Sequence, residues 1–325
     1  MDISHRFVDA NGIRMHIAEA GTGPVVVLAH GFPETWYSWR HQIVALAEAG
    51  FHAIAPDQRG YGETDKPEAI DSYTMLHLVG DLVGLLDALS TPTAAIVGHD
   101  FGAPVAWSSA LLRPDRFTAI AALSVPFRPR SPVRPTSAMA RTDTEVYYQL
   151  YFQEPGIAEA SFERDPRDAL LRSFFGLSGE ATSAPMALGS LAANMVPHEG
   201  GWLAKYPRPN HLPSWLSDTD LDAYVEAFRK GGFRGPLNWY RCIDCNWDLM
   251  RPWAGTKITV PALFIAGDRD PVLAFPGMDQ HLPNLSTLVP KLMRSLMLDG
   301  CGHWTQQERP NEVNAALIAF LRAQK

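Results

Sequence analysis

The pentapeptide Gly98-His99-Asp100-Phe101-Gly102 follows the apolar run "TAAIV" and leads into "APVAWSSALL". A short strand that turns sharply into a helix, with glycines on either side of the turn, lifts the central side chain to the place where a nucleophile works. Here that side chain is a carboxylate. A serine hydroxyl suits a carbonyl carbon; a carboxylate can instead displace a leaving group from saturated carbon and is left as an ester. Cleaving that ester takes an activated water, and the partners for this lie further along the chain. Asp270 comes just after "LFIAG", and His303 sits in "GCGHW" after the strand-like "SLMLDG". Of the two acids in "GDRD", Asp270 lies past the strand end, where it can orient a histidine from another loop; Asp268 reads as a turn or cap residue. Nucleophile, acid and histidine therefore come in that order, each at a strand end, where open α/β sheets bind their ligands. "HGFPE" after "VVVLA" adds an oxyanion site, with the backbone N–H of Phe32 beside that of Phe101. Pro33 shapes the turn, and a cis bond would fit there.

The elements needed to position these residues are visible in the pattern. Asn11-Gly12 between two alternating stretches marks a hairpin. "PVVVLAHGF", "FHAIAPD", "TAAIVGHD" and "FTAIAALSVP" are short apolar runs of the buried parallel-strand kind. Between them come helical patterns: "YSWRHQIVALAEAG", with Trp39, Ile43, Leu46 and Ala47 at helical spacing, then "TMLHLVGDLVGLLDAL" and "GAPVAWSSALLRP". The alternation predicts a parallel sheet wound on both sides. It lapses after Phe127 at "RPRSPVRPTS", and residues 128–253 read as helical or irregular, rich in aromatics and proline. Strand character returns in "KITVPALFIAGD" and "RSLMLDGCGHW", and "RPNEVNAALIAFLRA" closes with Val313, Leu317 and Leu321 on one helical face. The expected organisation is a core of residues 1–127 and 254–325 interrupted by a helical lid at 128–253, too long for a loop.

Composition narrows the function classes. With 46% hydrophobic and 19% charged residues the chain is globular, not disordered. A formal charge of −7 and the lack of a basic stripe with interleaved aromatics argue against nucleic acid. Apolar runs are too short to span a bilayer, and "MDISHRFVDANG" lacks the pattern of a secretory leader, so the expected location is the cytoplasm. Three cysteines make no disulfide framework. Cys242 and Cys245 in "CIDC" form only half a metal site and read as a structural coincidence; Cys301 near His303 is a poor nucleophile by chain order.

"HGFPETWYSWRHQI", "DQRGYGETDKP", "GHDFGAPVAW", "YYQLYFQEPG", "LNWYRCIDCNW" and "GCGHWTQQERPNEV" resemble, in register over nearly the whole chain, the epoxide hydrolases of the α/β-hydrolase superfamily. They are similar to the bacterial enzymes and to the hydrolase domain of mammalian soluble epoxide hydrolase. The resemblance implies the α/β-hydrolase fold with a lid and turnover of an apolar epoxide to a vicinal diol, with no metal or organic cofactor. It also implies two lid tyrosines that hold the epoxide oxygen, here Tyr148 and Tyr240. A homodimer is compatible with it. Tyr147 and Tyr151 stand close to Tyr148 and compete for its assignment. The family commonly carries Trp after the nucleophile, where this chain has Phe101.

Two other functions fit parts of the pattern. Haloalkane dehalogenases share the aspartate elbow but stabilise halide with side-chain N–H groups, and Phe101 has none; fluoroacetate dehalogenases add an arginine beside the nucleophile. A non-catalytic binding protein on the same fold usually lacks part of the triad, and none is missing here.

Overall fold

The computed structural model describes residues 2–182, 184–189 and 191–324. In chain order its strands are β1 (Ser4–Ala10), β2 (Ile13–Ala20), β3 (Val25–Ala29), β4 (His52–Pro56), β5 (Ala94–His99), β6 (Phe117–Leu123), β7 (Glu145–Tyr147), β8 (Met195–Pro197), β9 (Ala262–Gly267) and β10 (Leu292–Leu298). Eight of them form one sheet in the order β1-β2-β4-β3-β5-β6-β9-β10. β1 and β2 are an antiparallel hairpin whose turn, Asn11 (φ 49°) and Gly12 (φ 77°), uses the left-handed backbone these residues tolerate. β2 also pairs antiparallel with β4, and from β4 across to β10 every pairing is parallel.

The parallel strands are apolar along their length because both faces are covered. In β3, Val27 belongs to one apolar cluster and Val26 and Leu28 to the other; Ile54 in β4, Ile96 in β5 and Ile120 in β6 repeat the split against Ala53, Val97 and Ala121. Helices α1 (Arg40–Glu48) and α8 (Pro310–Arg322) close the second cluster with Ile43, Leu46, Val313 and Leu317. α2 (Met75–Ala88) and α3 (Gly102–Leu112) close the first with Leu78, Leu82 and Val105. α1 starts later than its apolar spacing predicts, because a 3-10 turn capped by Thr35 takes Trp36–Trp39.

Among the described residues, 124–261 add no strand to this sheet. They carry α4 (Pro166–Gly176), α5 (Gly201–Lys205), α6 (Asp218–Gly231) and α7 (Arg234–Arg241), with two further seven-residue helices at Ile157–Glu163 and Ile243–Leu249 and several single turns. They also carry a feature the sequence pattern hides: β7 and β8 pair antiparallel, Tyr147 opposite Met195. Three-residue strands are too short to show a period of two. α6 begins at a capping box, Ser217 with Asp220, and buries Leu221, Tyr224, Val225 and Phe228. The segment is fixed to the sheet layer by directed polar contacts. The Tyr224 hydroxyl donates to Gln307 Oε1 at 2.8 Å and lies 2.7 Å from the Ser38 hydroxyl. The Trp239 indole donates to the Arg59 carbonyl at 3.0 Å, and that of Trp304 to the Phe174 carbonyl at 2.8 Å.

Candidate active site

β5 ends at His99 and α3 begins at Gly102, leaving Asp100 on the turn with φ +50°. That left-handed backbone costs a non-glycine residue about 1–3 kcal/mol and is kept where the surroundings hold it. The surroundings here are close. A Cβ on Gly102 would collide with the Ala29 carbonyl, and one on Gly31 with the Asp100 carboxylate itself. The two glycines let the elbow and the loop after β3 meet.

The loop after β3 delivers the Phe32 N–H to Asp100 Oδ1 at 2.7 Å, and the Phe32–Pro33 bond is cis. The other carboxylate oxygen, Oδ2, lies 3.3 Å from His303 Nε2. His303 Nδ1 lies 3.0 Å from Asp270 Oδ1 and 3.0 Å from the Ser124 hydroxyl. Asp270 is fully buried and also accepts the Val272 N–H at 2.9 Å, capping the short turn Pro271–Ala274. Asp268 lies in the turn closed by the Asp270 N–H on the Gly267 carbonyl, as its place in "GDRD" suggests, and Asp270 makes the cap that follows. Asp268 contributes its backbone N–H to Leu298, and its buried Oδ1 has no partner among the described residues.

Burial alone would depress the basicity of His303, but the charge of Asp270 and the hydrogen bonds to Asp100 and Asp270 outweigh it. The imidazole, set between two carboxylates, is raised well above its ordinary value. Burial likewise pushes Asp270 up, and the His303 charge with the hydrogen bonds from His303, Ser124 and Val272 brings it below the usual carboxylate range.

Across one cavity from this group stand two phenols. Asp100, His303, Phe32, Tyr148 and Tyr240 line it together, with Trp202, Lys205 and Phe275. The Tyr148 and Tyr240 rings lie 6.1 Å apart at 75°. Tyr147 packs beside Tyr148 and does not line the cavity, while the Tyr151 hydroxyl abuts Gly201. Burial, with the neighbouring Tyr147 and the charge of Asp100, holds the Tyr148 hydroxyl well above the ordinary phenol; burial and Asp100 do the same for Tyr240. Both are neutral donors over the working pH range. Tyr148 Oη accepts from the Gln149 amide at 2.9 Å. Phe101 backs the pair, its ring edge-on to Tyr240 at 5.0 Å and to Trp239 at 5.3 Å.

Three further residues bind this arrangement together. Buried His99 sets Nε2 2.7 Å from the His303 carbonyl and Nδ1 2.7 Å from Glu34 Oε2. Both ring nitrogens face acceptors. Glu34 also accepts the Gly31 N–H at 2.9 Å and the Gln306 amide at 2.9 Å. Burial would raise its carboxyl; the His99 charge and hydrogen bond, the Gly31 N–H and His30 bring it down to about 2. Ser124 follows β6 with φ +71°. His99 and Glu34 lie inside "GHDFG" and "HGFPE", and Ser124 follows a strand like the other candidates, so position at the sheet edge was the signal available for all three. The Cys242 thiol donates to the Ile70 carbonyl at 3.0 Å and burial pushes it up to about 12; Cys245 is exposed, and both are free thiols.

The geometry has counterparts among known proteins. A family model described as the alpha/beta hydrolase fold matches residues 24–310. The chain is 49% identical to epoxide hydrolase A of Mycobacterium tuberculosis, over 98% of this chain and 97% of that one. It is 41% identical to the bifunctional epoxide hydrolase 2 of Mus musculus, over 99% of this chain and 56% of the longer mouse protein. The crystal structure of epoxide hydrolase A from Mycobacterium thermoresistibile superposes with a TM-score of 0.90 at 49% identity, covering 99% of this chain and 98% of that one. Among the described residues no helix is long and apolar enough to cross a membrane.

Proposed function

The chain belongs to the α/β-hydrolase superfamily and, within it, to the epoxide hydrolases, and from that membership we propose a two-step reaction through an ester on Asp100. The observation that carries it is a half-buried carboxylate, with a buried histidine beside it, facing two neutral phenols across one cavity. In the first step Asp100 attacks an epoxide carbon, the C–O bond breaks, and the oxygen takes a proton from Tyr148 or Tyr240. A phenol can do this because the alkoxide formed is the stronger base.

Ester formation removes one of the two negative charges that hold the proton on His303. The ring then gives that proton to the phenolate and becomes a neutral base, oriented by Asp270. In the second step water attacks the Asp100 carbonyl, His303 takes its proton, and the N–H groups of Phe32 and Phe101 hold the charge on the carbonyl oxygen. Collapse releases a vicinal diol and restores the carboxylate. Pro33 keeps the Phe32 N–H aimed at the site. Residues 1–127 and 254–325 supply the nucleophile, base and oxyanion donors, and 128–253 act as the lid that supplies the phenols. The aromatic walls fit an apolar epoxide, and the steps use no metal or organic cofactor.

A single turnover in water labelled with heavy oxygen, with enzyme in excess, tests the ester. The expected diol is mostly unlabelled and Asp100 carries the label, because the first oxygen transferred comes from the carboxylate. Labelled diol with unlabelled protein would mean that Asp100 only activates water.

A further inference from the structure

The chain leaves β6 through a turn that a serine does not favour. The Val125 N–H closes onto the Leu123 carbonyl at 2.9 Å, and Ser124 between them has φ +71°. That form of the three-residue turn is rare and strained for any residue but glycine. If only the backbone mattered, glycine would be the expected residue. Ser124 is fully buried, and its N–H is tied to the Ile265 carbonyl of β9 at 2.8 Å. Its hydroxyl lies 3.0 Å from His303 Nδ1, which in turn lies 3.0 Å from Asp270 Oδ1. A charged carboxylate can only accept, so the Nδ1 proton is committed to Asp270 and the hydroxyl is left to give its own proton to the same acid. Burial pushes Asp270 up; the charge and hydrogen bond of His303, then the Ser124 hydroxyl and the Val272 N–H, bring it below the usual range.

Strained backbone persists where its surroundings hold it, and it clusters where the side chain has work to do. We propose that Ser124 is a positioning residue: with Asp270 it holds the His303 ring as the base of ester hydrolysis, and it has no part in forming the ester. This rests on the two-step reading above and deepens it by assigning Ser124 to the second step. Ester formation needs the Asp100 carboxylate and the phenols, which line the cavity; Ser124 does not line it. Hydrolysis needs Nε2 aimed at a water beside the Asp100 carbonyl, and the aim of the ring is set by what holds Nδ1. Asp270 follows β9 and Ser124 follows β6, its neighbour in the sheet. Two anchors on adjacent strand ends fix a ring that one would let rock.

The test compares the wild type with Ser124→Gly, Ser124→Ala and Ser124→Thr on an aryl-substituted epoxide. Rapid-quench single turnovers, read by intact-protein mass spectrometry, give the rates of ester formation and decay, and thermal midpoints are taken alongside. Ser124→Gly and Ser124→Ala both remove the hydroxyl, but only glycine relieves the backbone; Ser124→Thr keeps the hydroxyl where β-branched side chains are resisted. Stability and chemistry should therefore part. Ser124→Gly is expected to melt above Ser124→Ala, while both cleave the ester roughly ten- to a hundredfold more slowly, the range for a hydrogen bond to a charged group. Ser124→Thr should melt below the wild type and keep most of the hydrolysis. With ester formation unchanged, kcat and KM fall together in the Gly and Ala variants as the ester accumulates. Loss of folded protein would lower kcat alone and leave the decay rate of the ester where it was. Decay at the wild-type rate in both of those variants, decay that follows the melting order across the set, or ester formation slowed as much as decay overturns the role of Ser124 and leaves the two-step reaction standing. Heavy-oxygen label that enters the wild-type diol and not the protein overturns the two-step reaction and this role with it.

Discussion

Against burial, the charge of Asp270 and the hydrogen bonds to Asp100 and Asp270 raise the basicity of His303, and the roles proposed for His303 and Asp100 can be separated at the scale of single residues. His303→Gln is expected to consume about one equivalent of epoxide and then stall as an ester, because its nucleophile and phenols remain while the positioned base is gone. Asp100→Ala should consume none. Intact-protein mass spectrometry after mixing distinguishes them, and an adduct on the Asp100 variant with none on the His303 variant would reverse the assignments. In the proposed reaction the phenols act one step earlier. Tyr148→Phe or Tyr240→Phe should slow ester formation, and the double change should cost more than either, since one general acid contributes ~10²–10⁴-fold. Rapid-quench measurement of ester formation is the check; a double variant with wild-type alkylation would exclude both as acids. Asp100, Asp270 and His303 are legible in the sequence because each follows a recognisable strand. Tyr148 is not separable from Tyr147 and Tyr151 by pattern alone, since which of three close tyrosines faces the cavity depends on the short β7–β8 ribbon.

At the scale of elements, Glu34 joins three loops that meet nowhere in sequence. It holds the loop after β3 through Gly31, the elbow through His99 and the turn before α8 through Gln306. Its folded pKa of about 2 lies below the ordinary 4.5, so its stabilisation is complete above the unfolded value and is lost as pH falls from there towards 2. The difference corresponds to roughly 3 kcal/mol. Glu34→Gln should therefore be less stable than the wild type by about that amount at neutral pH, and the gap should close on acidification. Urea midpoints at several pH values give the comparison; parallel stability curves would assign the stabilisation elsewhere. The strands and helices themselves were readable, because parallel strands covered on both faces show as apolar runs and the helices between them as a period near four. Such a clamp was not, since Glu34 and His99 look like any polar residues beside a motif until the loops are brought together.

At the scale of the whole molecule, the sheet supplies the carboxylate and the histidine, and the segment above it supplies the phenols. The interruption of the α/β alternation after Phe127 is visible in the sequence; how those helices pack on the sheet rests on lone contacts such as Tyr224 with Ser38 and Gln307, which no periodicity encodes. The placement of acid and base on opposite walls has a consequence for the solution outside. In the proposed reaction the proton that a phenol gives to the epoxide oxygen is replaced from His303, and His303 is replenished by the attacking water. Each cycle closes on itself, and nothing is handed to the buffer. Turnover of an epoxide in weakly buffered medium should leave the pH flat while diol accumulates, and the rate should not depend on buffer concentration. Displacing a halide by the same aspartate would release one equivalent of acid per product, which a pH-stat records directly. Flat pH follows from the stoichiometry of epoxide plus water to diol. Steady acid release matched to product would therefore show that the leaving group is not an epoxide oxygen, and epoxide hydrolysis would have to be abandoned as the reaction.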